Sequence, residues 1–332
     1  MDSVGDLARA LVLRTNQVRL RTEMDKLAVE VATGLSEDPA KKLGGDVSGL
    51  NALDRSLARL DAYRVNTTEA GLLTDTMQRS FEVIQERSTD LAGSLLSAEL
   101  TPTLAMTTTM SQNAEGALGQ VISNLNQSVA GRFLFSGTAT DTPPLADVDT
   151  LMTQARAAVA GLDNLGDIQT ALDTFFGAGG GYETTIYQGS ANGLSPIQIA
   201  EGDSANIDLR ATDQEVRDVL KPMVMAALAA DPAVNLDVPT QVDVLRAAGV
   251  EAQSAQENFT NMRARLGATE ARIEDATARN AAEQTASSMA KLDLIGTDPY
   301  ETASRYEDVR MQLESLYAIT ARSQRLTLTQ FL

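Results

Sequence analysis

Apolar residues recur at alternating steps of three and four from Leu20 to Val129 and again from Phe259 to Leu332, while the stretch between is broken by glycine and proline. That spacing lays one apolar stripe along a helix, and the stripe needs a partner surface. Two helical ends around a differently built middle are expected to fold back on each other as a rod of long antiparallel helices. The predicted class is mainly α, a coiled-coil-like rod with a small α+β insert. The expected divisions are 1–137 and 249–332 for the rod segments and 138–248 for the central domain.

The stripe runs through Leu20, Met24, Leu27 and Val31, stops at Gly34, and resumes at Leu50, Leu53, Leu57 and Leu60. It continues through Met77, Phe81, Ile84, Ser88, Leu91 and Leu95, a heptad rhythm that favours nearly parallel packing. Thr101-Pro102 reads as an N-cap with proline first, ahead of Met110, Ala114, Ala117, Val121 and Leu125. Near the C-terminus, Phe259, Met262, Leu266 and Ile273 set another stripe, and Asp298-Pro299-Tyr300-Glu301 reads as a helix start. The last helix offers Tyr306, Val309, Leu313 and Leu316, and the sequence runs out in Leu326, Leu328, Phe331 and Leu332. An uncovered apolar ending of this kind expects a neighbour.

In the middle, Gly131-Arg132-Phe133-Leu134-Phe135-Ser136-Gly137 sets a short strand-like run between glycines. Gly131 and Gly137 are expected to allow the exit from the helices, and Phe133 and Phe135 to anchor it. Helical patterns follow at 151–159, 168–176, 216–228 and 242–247. Thr184 to Tyr187 looks strand-like, Ala191-Asn192-Gly193 offers a hairpin turn, and Ile197, Ile199, Ile207 and Leu209 alternate as in a half-buried sheet.

Composition then narrows the function. With 4% aromatic residues and no Trp, the seams are built from Leu, Val, Ile, Met and Ala, which suits helices lying close together. The absence of Cys and His removes thiolate and imidazole metal sites, disulfides and the common nucleophile pairs. A net charge of −18 argues against nucleic acid as partner. Asp147/Asp149 and Asp163/Asp167 lack the spacing of a calcium loop, and Gly179-Gly180-Gly181 lacks the lysine and helix of a phosphate loop. Gly267 reads either as a tolerated helical glycine or as a close approach of a neighbouring backbone. The run Ala10 to Leu13 is too short for a secretory core, and no stretch approaches the about 20 apolar residues of a membrane span. No catalytic, cofactor or metal residue is assigned.

Val31 to Ala40, the Gly131–Gly137 segment, and Arg263 through Ile273 together resemble the bacterial flagellin superfamily, and within it the flagellin-like hook-associated proteins of the hook–filament junction. The turn between Gly34 and Asp38 is shorter than usual, and Gly296-Thr297-Asp298-Pro299 stands where paired aspartates are common. The resemblance implies a non-enzymatic structural subunit connecting the first hook-associated junction protein to flagellin. It also implies self-assembly, export through the flagellar type III system to the extracellular flagellum, and a cytoplasmic export chaperone. Leu20, Met24, Leu27, Val31, Leu313, Leu316, Leu326, Leu328, Phe331 and Leu332 are the expected subunit interface. A minor filament flagellin is an alternative, and a helical enzyme using carboxylates or lysines a more distant one.

Overall fold

The computed structural model describes residues 4–97 and 103–328, with side chains over 8–97 and 103–322. Helix accounts for 74% of it, with two small antiparallel sheets. The Thr101-Pro102 cap, together with Phe331 and Leu332, lies outside the described residues, as do the side chains of Leu326 and Leu328.

Two compact units are present, 1–62 with 281–332, and 63–280. In the first, helix α1 (Val4–Thr33) stops where Gly34 turns left-handed at φ 70°. The short α2 (Pro39–Lys42) starts on Asp38, whose carboxylate accepts from Lys41 N at 3.1 Å. The first turns of α3 (Ser48–Ser97) and the last of α8 (Val238–Ile295) belong here, followed by α9 (Pro299–Leu328). Asp298 caps α9, its carboxylate accepting from Tyr300 N at 2.8 Å and Glu301 N at 3.1 Å. The Asp-Pro start expected from the sequence is therefore a working N-cap.

In the second unit the middle of α3 runs antiparallel to α8. Helix α4 (Leu104–Leu125), capped by Thr103, packs on α7 (Gln214–Leu228). Between them the chain forms strands β1 (Ser128–Val129) and β2 (Arg132–Phe133), helices α5 (Val148–Ala158) and α6 (Leu165–Phe176), and strands β3 (Ile197–Ala200) and β4 (Asp203–Ala205). The main core joins Met77, Phe81, Ile84 and Leu91 of α3 to α4, α5, α6, α7 and the Phe259–Leu266 face of α8.

Polar pairs fix the register of α3 against α8. Gln78 Nε2 donates to Arg263 O at 2.9 Å, Arg263 Nη1 to Gln85 Oε1 at 2.5 Å, and Gln256 Nε2 to Ser88 Oγ at 2.8 Å. A Cβ on Gly267 would meet Gln78 Nε2 at 3.6 Å, an ordinary contact, so the tolerated-glycine reading holds there. Gly249 is the glycine that allows a close approach: a Cβ there would come within 3.1 Å of Leu95 and Leu96.

Four local readings need correction. Residues 182–186 are a π-helical turn, not a strand. The Tyr182 ring is buried with its hydroxyl on Ala211 O at 2.8 Å, and Thr184 and Thr185 bond back to the Gly180 and Gly181 carbonyls. Ala191-Asn192-Gly193 is a pinned bend, because Asp208 Oδ1 accepts from Leu194 N and Arg210 Nη1 donates to Ala191 O. The hairpin turn lies at Glu201-Gly202, where Gly202 takes φ 72°, and Ile207 and Leu209 follow in irregular chain. The helical pattern at 242–247 is the beginning of the 58-residue α8.

Candidate assembly interface

Helix α1 has two apolar faces. Leu20, Met24 and Leu27 lie on one side, and at 3.6 residues per turn Leu11, Val18 and Val29 lie opposite. The first face meets α9. Leu27 and Leu313 are buried, Leu20, Met24 and Leu316 are half-buried, and Val31 is 45% exposed. The polar flank pairs in antiparallel order, Gln17 Nε2 with Tyr317 Oη at 3.2 Å and Glu23 with Arg305 at 3.7 Å. At the closed end Ser36 N donates to Ile295 O at 2.8 Å, Thr297 N to Gly34 O at 2.9 Å, and Lys42 Nζ to Gly296 O. Lys291 reaches Asp54 at 2.7 Å, joining α8 to α3.

The second face of α1 has no such cover. Leu11, Val18 and Val29 are exposed, as are Met311 and Ile319 on α9 and Met289 and Leu292 on α8. Among the described residues, twelve of the sixteen exposed large hydrophobic side chains fall in this unit, though it holds the smaller part of the chain. A groove of about 500 Å³ runs between α1 and α9, lined by Asn16, Arg19, Leu20, Met311, Leu316 and Ile319. Charge follows the same division. Residues 1–62 and 281–332 hold 14 Lys and Arg against 17 Asp and Glu, a net −3, whereas residues 63–280 hold 13 against 28, a net −15. The unit richest in uncovered apolar surface is thus close to neutral, the pairing that favours association over mutual repulsion.

The segment from Gly131 to Gly137 closes part of the core of the other unit. Gly131 and Gly137 both take left-handed backbone, at φ 78° and 60°. At Gly137 a Cβ would also fall 2.5 Å from Asn192 O and 2.8 Å from Ser190 O, so that position admits no side chain. Phe135 is buried with its ring 5.1 Å from Phe81, which in turn sits edge-on to Phe259 at 5.4 Å. Phe133 is half-buried. The three rings join α3, this segment and α8, a convergence that the separate stripes did not announce.

Of the four aspartates that lack a calcium loop's spacing, Asp147 and Asp167 stand at helix starts. Asp147 caps α5 through Thr150 N at 2.7 Å, and the bonds from Thr150 hold its carboxyl below the usual carboxylate range. Asn164 caps α6, with Asp167 in its first turn. Buried Arg217 was not foreseen. It donates to Phe176 O at 2.8 Å and meets Glu183 at 3.2 Å, tying α7 to the end of α6 and to the π-turn. Among the described residues, no helix is long and apolar enough to cross a membrane.

Comparison with known proteins matches the family model for the bacterial flagellin C-terminal helical region to residues 251–332. No curated protein matches the chain. Among solved structures, the fold resembles a Vibrio parahaemolyticus protein described as flagellar hook-associated, with 14% identity and a TM-score of 0.50, over 76% of this chain and 99% of that one. It also resembles Bacillus cereus FlgL, with 13% identity and a TM-score of 0.52, over 73% of this chain and all of the other. At these identities the likeness is one of fold, mainly α with a small β insert, and the flagellin match is carried by the C-terminal quarter.

Proposed function

We propose that this chain is a structural, non-enzymatic subunit of the bacterial flagellum, an adaptor at the hook–filament junction between the first hook-associated junction protein and flagellin. The observation that carries the proposal is the flagellin C-terminal match over 251–332, which includes α9 and its pairing with α1. Around that pair lies near-neutral surface with most of the exposed large apolar side chains.

In this reading copies of the chain associate through the terminal helices. Leu20, Met24, Leu27, Val31, Leu313 and Leu316 shape the α1/α9 pair that meets other copies, and Leu326, Leu328, Phe331 and Leu332 are proposed to contribute to the same interface. The acidic 138–248 segment stays solvated on the outside, with the Gly131–Gly137 segment as its mechanical root. The chain is exported by the flagellar type III route, escorted in the cytoplasm by a chaperone covering the C-terminal apolar residues.

The test is electron microscopy of cells lacking this chain, with flagellin assayed in the medium. Bare hooks and flagellin lost to the medium are expected. Normal filaments on normal hooks would overturn the adaptor role. Shortened filaments whose length follows the abundance of this chain would instead identify a minor flagellin, the reading that the flagellin match also allows.

A further inference from the structure

The β3–β4 hairpin has its own small core. Ile199 and Ala205 are buried against Ala70 of α3 and Ile273 and Ala276 of α8, a cluster separate from the main core, with Ile197 lying against both. Strands of four and three residues with a register shift between Gln198 and Ala200 have little stability of their own. The hairpin is held by side chains from two helices instead. Asn66 Nδ2 of α3 donates to Gln198 O at 2.8 Å, and the buried Asn280 Nδ2 of α8 donates to Ile199 O at 2.8 Å. Asp203 accepts from Arg272 at 2.6 Å and lies 3.6 Å from Arg279, while Arg272 also reaches Ser204 O at 3.2 Å.

Gln198 O and Ile199 O of β3 are thus taken by side-chain amides of the two helices. Every one of these attachments goes to α3 or α8, within 66–70 and 272–280. We propose that the hairpin is a strap across α3 and α8 that opens and closes as a unit of its own, holding the two helices together over those turns. A small separate core and a partly exposed ion pair are the marks of a segment that opens below the free energy of global unfolding.

Hydrogen exchange of the full chain, read by mass spectrometry, tests this. In the unaltered protein, amides of 197–205 should exchange well ahead of those in α7. Asp203→Asn removes the charge that Arg272 and Arg279 share, and Asn66→Ala removes one hydrogen bond, each at a position that is not fully buried, so both variants should fold. Each should raise exchange in 197–205 about tenfold, the scale of one charge-assisted or buried hydrogen bond. Exchange in 66–70 and 272–280 should rise with it, and that in 216–228 should not change. Exchange of 197–205 in step with α7 in the unaltered protein would overturn the proposal. So would faster exchange spread evenly over 63–280 in the variants, or a rise confined to the hairpin with both helices unaffected.

Discussion

At Gly137 two separate demands coincide, and they set it apart from Gly131. Both residues need left-handed backbone, which costs a residue with a Cβ roughly 1–2 kcal/mol. Only Gly137 also has two carbonyl oxygens where a Cβ would stand, whereas Gly131 faces open space. Gly131→Ala should therefore lower stability by about 1 kcal/mol, and Gly137→Ala by at least twice that. Urea unfolding followed by circular dichroism measures the difference, and equal losses would contradict the close approach. Phe135→Ala should cost about 3–5 kcal/mol by the same measurement, because it empties a site between Phe81 and segments that cannot collapse into it.

Two tyrosines contribute to the alkaline behaviour. Burial pushes the Tyr182 hydroxyl far up, and burial likewise pushes Tyr187 up to about 12. An unfolded tyrosine ionises near pH 10, so the folded state keeps protons there that the unfolded state loses. The contribution is complete below pH 10 and falls as pH rises from 10 through 12 and beyond. Tyr182→Phe should flatten that decline in urea midpoints taken between pH 9 and 11. An unchanged slope would mean that Tyr182 ionises as easily folded as unfolded.

Among the elements, α3 was legible and α8 only in part. The heptads from Leu50 to Leu95 announced one helix, and it runs unbroken through Ser97. The beginning of α8 was hidden although its signal was present: Asp237 accepts from Thr240 N at 3.0 Å, with Pro239 in the first turn. Gly249 obscured the pattern, and its reason lies on α3, where Leu95 and Leu96 come close. The π-turn was illegible for a related cause. Thr184-Thr185-Ile186 favours a strand locally, and the burial of Tyr182 overrides that preference. The α1/α9 pair gathers, within one chain, residues that the sequence assigned to an interface between copies, and its opposite face was not foreseen, since Leu11, Val18 and Val29 fall at steps of seven and eleven among charged residues. Leu27→Ala should cost about 2–4 kcal/mol of the stability of this helix pair, because the side chain is buried. Val18→Ser should leave the thermal melt of the isolated protein unchanged and yet weaken self-association. Loss of both together would assign Val18 to the fold of the single chain.

For the whole molecule the uneven charge makes a prediction that neither residues nor elements make. Copies that associate through a near-neutral unit bring near one another a second unit carrying a net −15. At about 0.01 M salt the screening length is roughly 30 Å, and those charges repel across most of a domain; at 0.15 M it is about 8 Å, and the repulsion is largely confined to close neighbours. The apolar contacts of Leu11, Val18, Met311 and Ile319 weaken little over that range, because burial of apolar surface does not depend on screening. Self-association, followed by sedimentation velocity, should therefore increase as sodium chloride rises from 0.01 to 0.15 M. Replacing Asp147, Asp149, Asp163 and Asp167 by asparagine should shift the same association to lower salt, since each exposed carboxylate removed lessens the repulsion. An association that weakens as salt is added would mean that ion pairs between copies hold the assembly. The exposed arginines of the α1/α9 unit, rather than its apolar faces, would then be the residues to change next.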